Sequence, residues 1–401
     1  MTQKSLDRKL EILRTNPQAN EFILADAKDA DMAFGIGAPG QSPESHSGEV
    51  RFRTLREYRD LIRDISKQEL VDIMLMSAST SDVLTIGERL FERSPVTPAV
   101  RCNDTTDVWV VRGGKYLESP AQTFRSTTLD HAQCGKMECD PSERGIGANL
   151  GLYSVTFNNN IEEDRATLEA FKEFRLEAER KGFKYFLEVF DPNVATGFDD
   201  NALGAFINDS IARTLAGVTG AGRPQFLKIV YHGPKFMEEL HRYDPGLVIG
   251  ILGGSAGTTY DAFKLLAEAK KYGARVALYG RKINNAESQF AFIRILRLVA
   301  DEVISPEEAV RAYHAVLERL GVKPHRKLED DLQLQTGVMS YGGSSVSSIP
   351  GLSPNGKAIA KRKPSSNGNT ETTDEAPNFA RMSSEERFEY HRNRIAKRLG
   401  Y

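Results

Sequence analysis

Cysteine is scarce: the chain has three in 401 residues. That is too few for a disulfide framework, so the expectation is free thiols in a reducing cytoplasm. Charge of one sign is not in excess either. Lys and Arg total 53 against 55 Asp and Glu, for a formal net charge of -2. A nucleic-acid binder usually carries a basic surplus, so no nucleic-acid partner is expected. Long apolar runs are absent, and none approaches the roughly 18 residues that a membrane span needs. The polar start, Met1 to Lys9, has no apolar stretch behind it and does not read as a signal peptide. What remains is 40% hydrophobic and 27% charged, the balance of a globular protein.

The composition divides the chain in three. Residues 1–335 hold the apolar runs and form the expected folded domain. Residues 336–380 are rich in Gly, Ser, Pro, Asn and Thr, with a basic run at Lys357, Lys361, Arg362 and Lys363. Such a segment buries too little to offset its ordering entropy and reads as a flexible linker. Residues 381–401 carry a helix-start pattern, Ser383-Ser384-Glu385-Glu386. Phe388, Tyr390, Ile395 and Leu399 follow, and Gly400 suits the end of a short helix.

Eight strand-like runs lie in the first part: Phe22–Ala25, Val71–Met76, Thr97–Cys102, Leu150–Phe157, Phe183–Phe190, Phe226–Tyr231, Leu247–Leu252 and Ala274–Tyr279. Amphipathic helical patterns separate most of them. The clearest are Ile161–Lys181, closed by Gly182, and Thr258–Tyr272, closed by Gly273. Strands alternating with helices predict a parallel sheet, and eight of them predict a (β/α)8 barrel. Such a barrel takes about 250 residues, so the surplus must be insertions and tail. Asp31–Glu49 follows the first run and Asn103–Asn149 the third. Both would lie on the face where barrel enzymes keep their active sites. Asp107–Leu117 reads as a hairpin turning at Gly113-Gly114.

Lys228 stands mid-run in Phe226-Leu227-Lys228-Ile229-Val230. A buried lysine is costly unless paired or discharged, and a discharged lysine is a nucleophile toward carbonyls. An edge-strand lysine reaching for water is the alternative. Glu188 is a lone acid in the preceding run, on the face of Phe186 and Phe190. Adjacent parallel strands would bring it beside Lys228, to position the amine and move protons, or merely to pair with it. Asp26 ends the first run and would point to the same mouth, unless it caps a helix. The seventh run ends in Gly253-Gly254-Ser255 and the eighth in Gly280-Arg281. Loops at those positions often hold phosphate, and arginine clamps it through its planar fork.

These positions together resemble the class I (Schiff-base) aldolases of the phosphate-binding barrel type. That family holds the deoxyribose-phosphate, tagatose-bisphosphate and archaeal-type fructose-bisphosphate enzymes. The resemblance spans about Phe22 to Leu320, and its nearer branch is the tagatose-bisphosphate one, which also has an acid on the fifth strand. It implies Lys228 as the Schiff-base lysine, Glu188 and Asp26 as proton and hydroxyl handlers, and Gly253, Gly254, Ser255, Gly280 and Arg281 around a substrate phosphate. It implies no metal and no cofactor, an anionic carbonyl substrate, and a homo-oligomer. The sequence departs from the family in three places: the fourth run has no basic residue, Phe190 stands where some members have tyrosine, and Ala27-Lys28-Asp29 follows Asp26. A barrel isomerase or epimerase using Lys228 as acid or base is one alternative function. A scaffold acting through the tail is another.

Two other patterns bear on function. His131, Cys134, Cys139 and Cys102 make a Cys3His set, but His-x2-Cys-x4-Cys is not a regular zinc spacing, and the reading is free cysteines. Gly253–Gly257 lacks the G-x-G-x-x-G spacing of a dinucleotide loop.

Overall fold

The computed structural model describes residues 2–40, 52–108, 114–254 and 257–335. The predicted linker 336–380 and terminal helix 381–401 lie outside the described residues, as does Ser255. Ten strands are described: β1 (Ile23–Lys28), β2 (Ile73–Met76), β3 (Thr97–Arg101), β4 (Asp104–Thr105), β5 (Thr123–Phe124), β6 (Leu150–Thr156), β7 (Lys184–Phe190), β8 (Leu227–Ile229), β9 (Ile249–Leu252) and β10 (Val276–Tyr279). Eight close into a barrel in the order β1-β10-β9-β8-β7-β6-β3-β2, every pair parallel. Each of the eight predicted runs is one barrel strand, and the fold is the expected (β/α)8 barrel.

Alternation along each strand sorts side chains between two cores. Ile23, Ala25, Ile73, Leu75, Ala99, Leu150, Leu152, Phe186, Phe226, Val248, Val276 and Leu278 fill the barrel interior. Phe186 and Phe226 stack there with ring centroids 4.5 Å apart. The helix Ser5–Thr15 closes the lower end, inserting Leu6, Leu10 and Leu13 on its i, i+4, i+7 stripe into that core. The other strand faces, Leu24, Met74, Val100, Tyr153, Leu187, Ile229 and Ile251 among them, pack against the surrounding helices. Those helices begin where the sequence caps them. Thr54 and Glu57 form a capping box at Leu55–Lys67, and Asn160 accepts from the amides of Glu162 and Glu163 at Ile161–Arg180. Among the described residues no helix is long and apolar enough to cross a membrane.

The insertion after β3 departs from expectation twice. Its two ends pair, β4 running antiparallel to β5 with Asp104 opposite Phe124. The predicted hairpin 107–117 lies partly outside the described residues, and its far arm differs from the expectation. Residues 109–113 lie outside the described residues, and Tyr116–Glu118 is a 3-10 turn where a strand was expected. The cysteines are not all free. Cys134 and Cys139 form a disulfide across a turn that starts at Gly135, whose φ of +74° lets the chain double back; Cys102 alone stays a buried thiol. The short helix Leu129–Cys134 and this disulfide loop occupy the place of the barrel's third helix.

Candidate active site

The register carries the site. Glu188 on β7 is opposite Lys228 on β8 and opposite Ser154 on β6. All three alternate onto the interior face with Phe186, Phe226 and Leu152. Lys228 Nζ lies 2.5 Å from Glu188 Oε1, with the two side chains 3% and 0% exposed. Ser154 donates to Glu188 Oε2 at 2.7 Å. The lysine of β8 therefore faces the axis beside its carboxylate, and the edge-strand alternative does not hold.

A second interior cation completes the cluster. Arg101 ends β3 with its side chain 2% exposed, 2.5 Å from Asp29 Oδ2 and 3.4 Å from both Glu188 Oε2 and Asp104 Oδ1. Its fork also donates to Ser154 Oγ at 3.1 Å. Glu188 is thus held between Lys228 on one oxygen and Arg101 and Ser154 on the other. Below this layer lie Phe186 and Phe226. Above it Val108, from the insertion after β3, joins Phe190, Val230 and Leu252 in a small apolar cluster. Charges enclosed between apolar layers persist only when paired, and these are. Burial pushes the Asp104 carboxyl up to about 7, with Arg101 pulling it back. At the rim, His232 Nε2 lies 2.9 Å from Asp191 Oδ1.

Arg101, Asp29 and Asp104 were not anticipated. The departure noted above, no basic residue on the fourth run, is met one strand earlier. In Thr97-Pro98-Ala99-Val100-Arg101, alternation from interior Ala99 already points Arg101 inward.

Asp26 is not part of this cluster, contrary to expectation. Ile23, Ala25 and Ala27 take the interior face of β1, which sends Asp26 and Lys28 outward between barrel and helices. There Asp26 Oδ2 lies 3.1 Å from Lys28 Nζ, both side chains fully buried. Lys28 also donates to Asn284 Oδ1 at 2.5 Å and Gln289 Oε1 at 3.0 Å. Burial pushes Asp26 up to about 6, with Lys28 pulling it back.

The expected phosphate loops are partly in place. The Gly253 amide donates to Leu278 O at 2.8 Å, so it is committed to the sheet rather than offered to a ligand. A Cβ at Gly253 would lie 2.1 Å from Tyr279 Cδ1, which explains glycine there. Gly254 follows at φ +57°. Gly280 caps the turn Arg281–Asn284, and Arg281 is buried with its guanidinium 5.3 Å from the Phe34 ring centroid. The next residue, Lys282, donates to Gly257 O at 3.0 Å and is pushed down to about 8 by burial.

Among solved structures the chain is similar to an archaeal fructose 1,6-bisphosphate aldolase. Identity is 14%, the TM-score is 0.52, and the match covers 74% of this chain and all of that one. A Schiff-base-forming fructose-1,6-bisphosphate aldolase matches at 16% identity and TM-score 0.52, over 74% of this chain and all of its own. A protein from Corynebacterium glutamicum matches at 14% identity and TM-score 0.50, over 76% of this chain and 99% of its own. At these identities the likeness establishes the barrel fold. No family model and no curated protein matches the chain.

Proposed function

We propose that the chain is an aldolase-type lyase of class I, acting on a phosphorylated sugar or a related anionic carbonyl compound. The observation that carries this reading is the Lys228 amine, buried inside the barrel and 2.5 Å from Glu188. Lys228 attacks the carbonyl carbon, its displaced proton passing to Glu188. Loss of water from the carbinolamine gives a protonated imine. That cation takes the electron pair of the breaking C–C bond, releasing an aldehyde and leaving an enamine. Reprotonation at carbon and addition of water then return product and free lysine. Glu188 can give and take each proton, while Ser154 and Arg101 fix its orientation. Gly254 and Arg281 are the groups proposed to receive the anion. Asp26 has no part in this scheme.

Borohydride reduction in the presence of phosphorylated ketoses and aldoses tests it. The expected result is a covalent adduct at Lys228. No adduct, or an adduct that persists in Lys228→Ala, sinks the proposal and favours an isomerase or epimerase that uses the lysine as acid or base.

A further inference from the structure

Beyond the barrel, residues 325–335 cross back over the mouth side of the helix Thr259–Lys271. Their hydrogen bonds converge on Gly257 to Asp261, at the start of that helix. Arg326 Nη1 donates to Gly257 O at 2.8 Å, the same carbonyl that accepts from Lys282. Asp331 Oδ1 accepts from the Thr259 amide at 2.7 Å. Thr258 Oγ1 donates to Gln333 O at 2.8 Å, and the Gln335 amide reaches Asp261 Oδ1 at 3.1 Å. Asp331 is only 4% exposed, and its other oxygen lies 2.9 Å from His314 Nε2.

The helix start already has its own capping box, Thr258 with Asp261. Asp331 adds a second, distant carboxylate at the positive end of a 13-residue helix. Only glycine fits at 257: its φ is +82°, and a Cβ there would lie 2.3 Å from Asp261 Oδ2. A polar cleft of about 230 Å³ separates the two layers, lined by Thr259, Lys282, Glu287, Arg326 and Asp331. Its walls are His325, Arg326 and Asp331 on one side and, on the other, Gly257 and Thr259 with Lys282 to Glu287, the residues that directly follow Arg281.

We infer that residues 325–335 are a strap that sets the conformation of the anion-binding loops, with Asp331 as its latch and Arg326 as its second tie. The anion part of the inference rests on the reading under Proposed function. The strap fixes Gly257 and Thr259 directly and the Arg281 turn through the shared Gly257 carbonyl. Asp331 and Arg326 are positioning residues: neither is placed among the groups that receive substrate.

The full chain, its Asp331→Asn variant and its Arg326→Gln variant test the inference with inorganic phosphate as probe. In Asp331→Asn the Thr258 and Thr259 amides should exchange with deuterium about tenfold faster. Phosphate affinity should fall about fivefold or more, and KM for a phosphorylated substrate should rise with kcat unchanged. Borohydride trapping of an unphosphorylated carbonyl compound at Lys228 should stay as in the parent. Arg326→Gln, an exposed change, should give the same pattern more weakly and covers a failure of Asp331→Asn to fold. Unchanged exchange at Thr258 and Thr259 in both variants overturns the strap. Faster exchange with unaltered phosphate affinity overturns its link to the anion. Failure of the parent chain to bind phosphate, with exchange still accelerated in the variants, removes the anion reading and leaves the strap standing.

Discussion

Two lysine–carboxylate pairs are buried in the wall of one barrel, on opposite sides of it. Lys228 and Glu188 meet at 2.5 Å inside, and Lys28 and Asp26 meet at 3.1 Å outside, beneath the helices. Their chemistry is alike and their surroundings are not. The inner pair shares its carboxylate with Ser154 and Arg101, beneath an apolar cluster to which the insertion after β3 contributes Val108. The outer pair is closed in by Asn284, Gln289 and Tyr58 and ties β1 to the turn that bears Arg281. A buried ion pair is therefore weak evidence of function by itself. The two differ in the face they occupy, the inner pair turned to the barrel axis and the outer pair to the helices.

The largest effect expected on the inner pair is from Lys228→Ala. It should abolish borohydride trapping and lower turnover about 10⁴-fold or more, as loss of a covalent nucleophile does. Glu188→Gln keeps the shape but loses the proton acceptor, and kcat should fall about 10²- to 10⁴-fold. Asp26→Asn, the matching change on the outer pair, should leave trapping at Lys228 intact. Equal losses of trapping in Glu188→Gln and Asp26→Asn would dissolve the distinction between the two sides. Lys28→Met should act on stability instead. Removing one member of a buried pair costs about 3–5 kcal/mol, read as a lower denaturation midpoint.

The same contrast explains what the sequence made legible. Eight apolar runs sufficed for the barrel, because parallel strands buried on both faces are near-continuously apolar. Glu188 and Lys228 were legible as neighbours because consecutive strands pair and their bulky flanking residues mark the inner face. β1 gave no such mark. The inner face of β1 carries only Ile23 and the small Ala25 and Ala27, with no bulky residue to mark it, so Asp26, expected at the mouth, instead lies with Lys28 beneath the helices. Arg101 stands out less, because the family resemblance places its basic residue one strand later. The Cys134–Cys139 bond depends on the turn at Gly135, which a count of three cysteines does not reveal. Cys139→Ser should lower stability by about 2 kcal/mol, since a short closed loop constrains the unfolded chain modestly. Its effect on trapping should be nil, because the disulfide lies among the outer helices.

The smallest effect belongs to two of the acids that burial perturbs upward, and it separates mouth from wall by pH. Asp104, beside Arg101, is pushed up to about 7, and Asp26, beside Lys28, to about 6. An acid whose folded pKa lies above its unfolded value binds its proton more tightly in the fold. It favours folding fully below the unfolded pKa, and that contribution is lost as pH rises through the folded one. For Asp104 the decline runs from about pH 4 to 7. Asp104→Asn has no proton to lose there, so its stability relative to the parent should climb across that window and level off above it. The net gain at pH 8 should be about 1 kcal/mol, because Arg101 also loses one of its anionic neighbours. Denaturant midpoints taken from pH 4 to 8 measure the difference. A flat or falling difference would mean that Asp104 stays ionised throughout and that the mouth holds its charges as the wall does not.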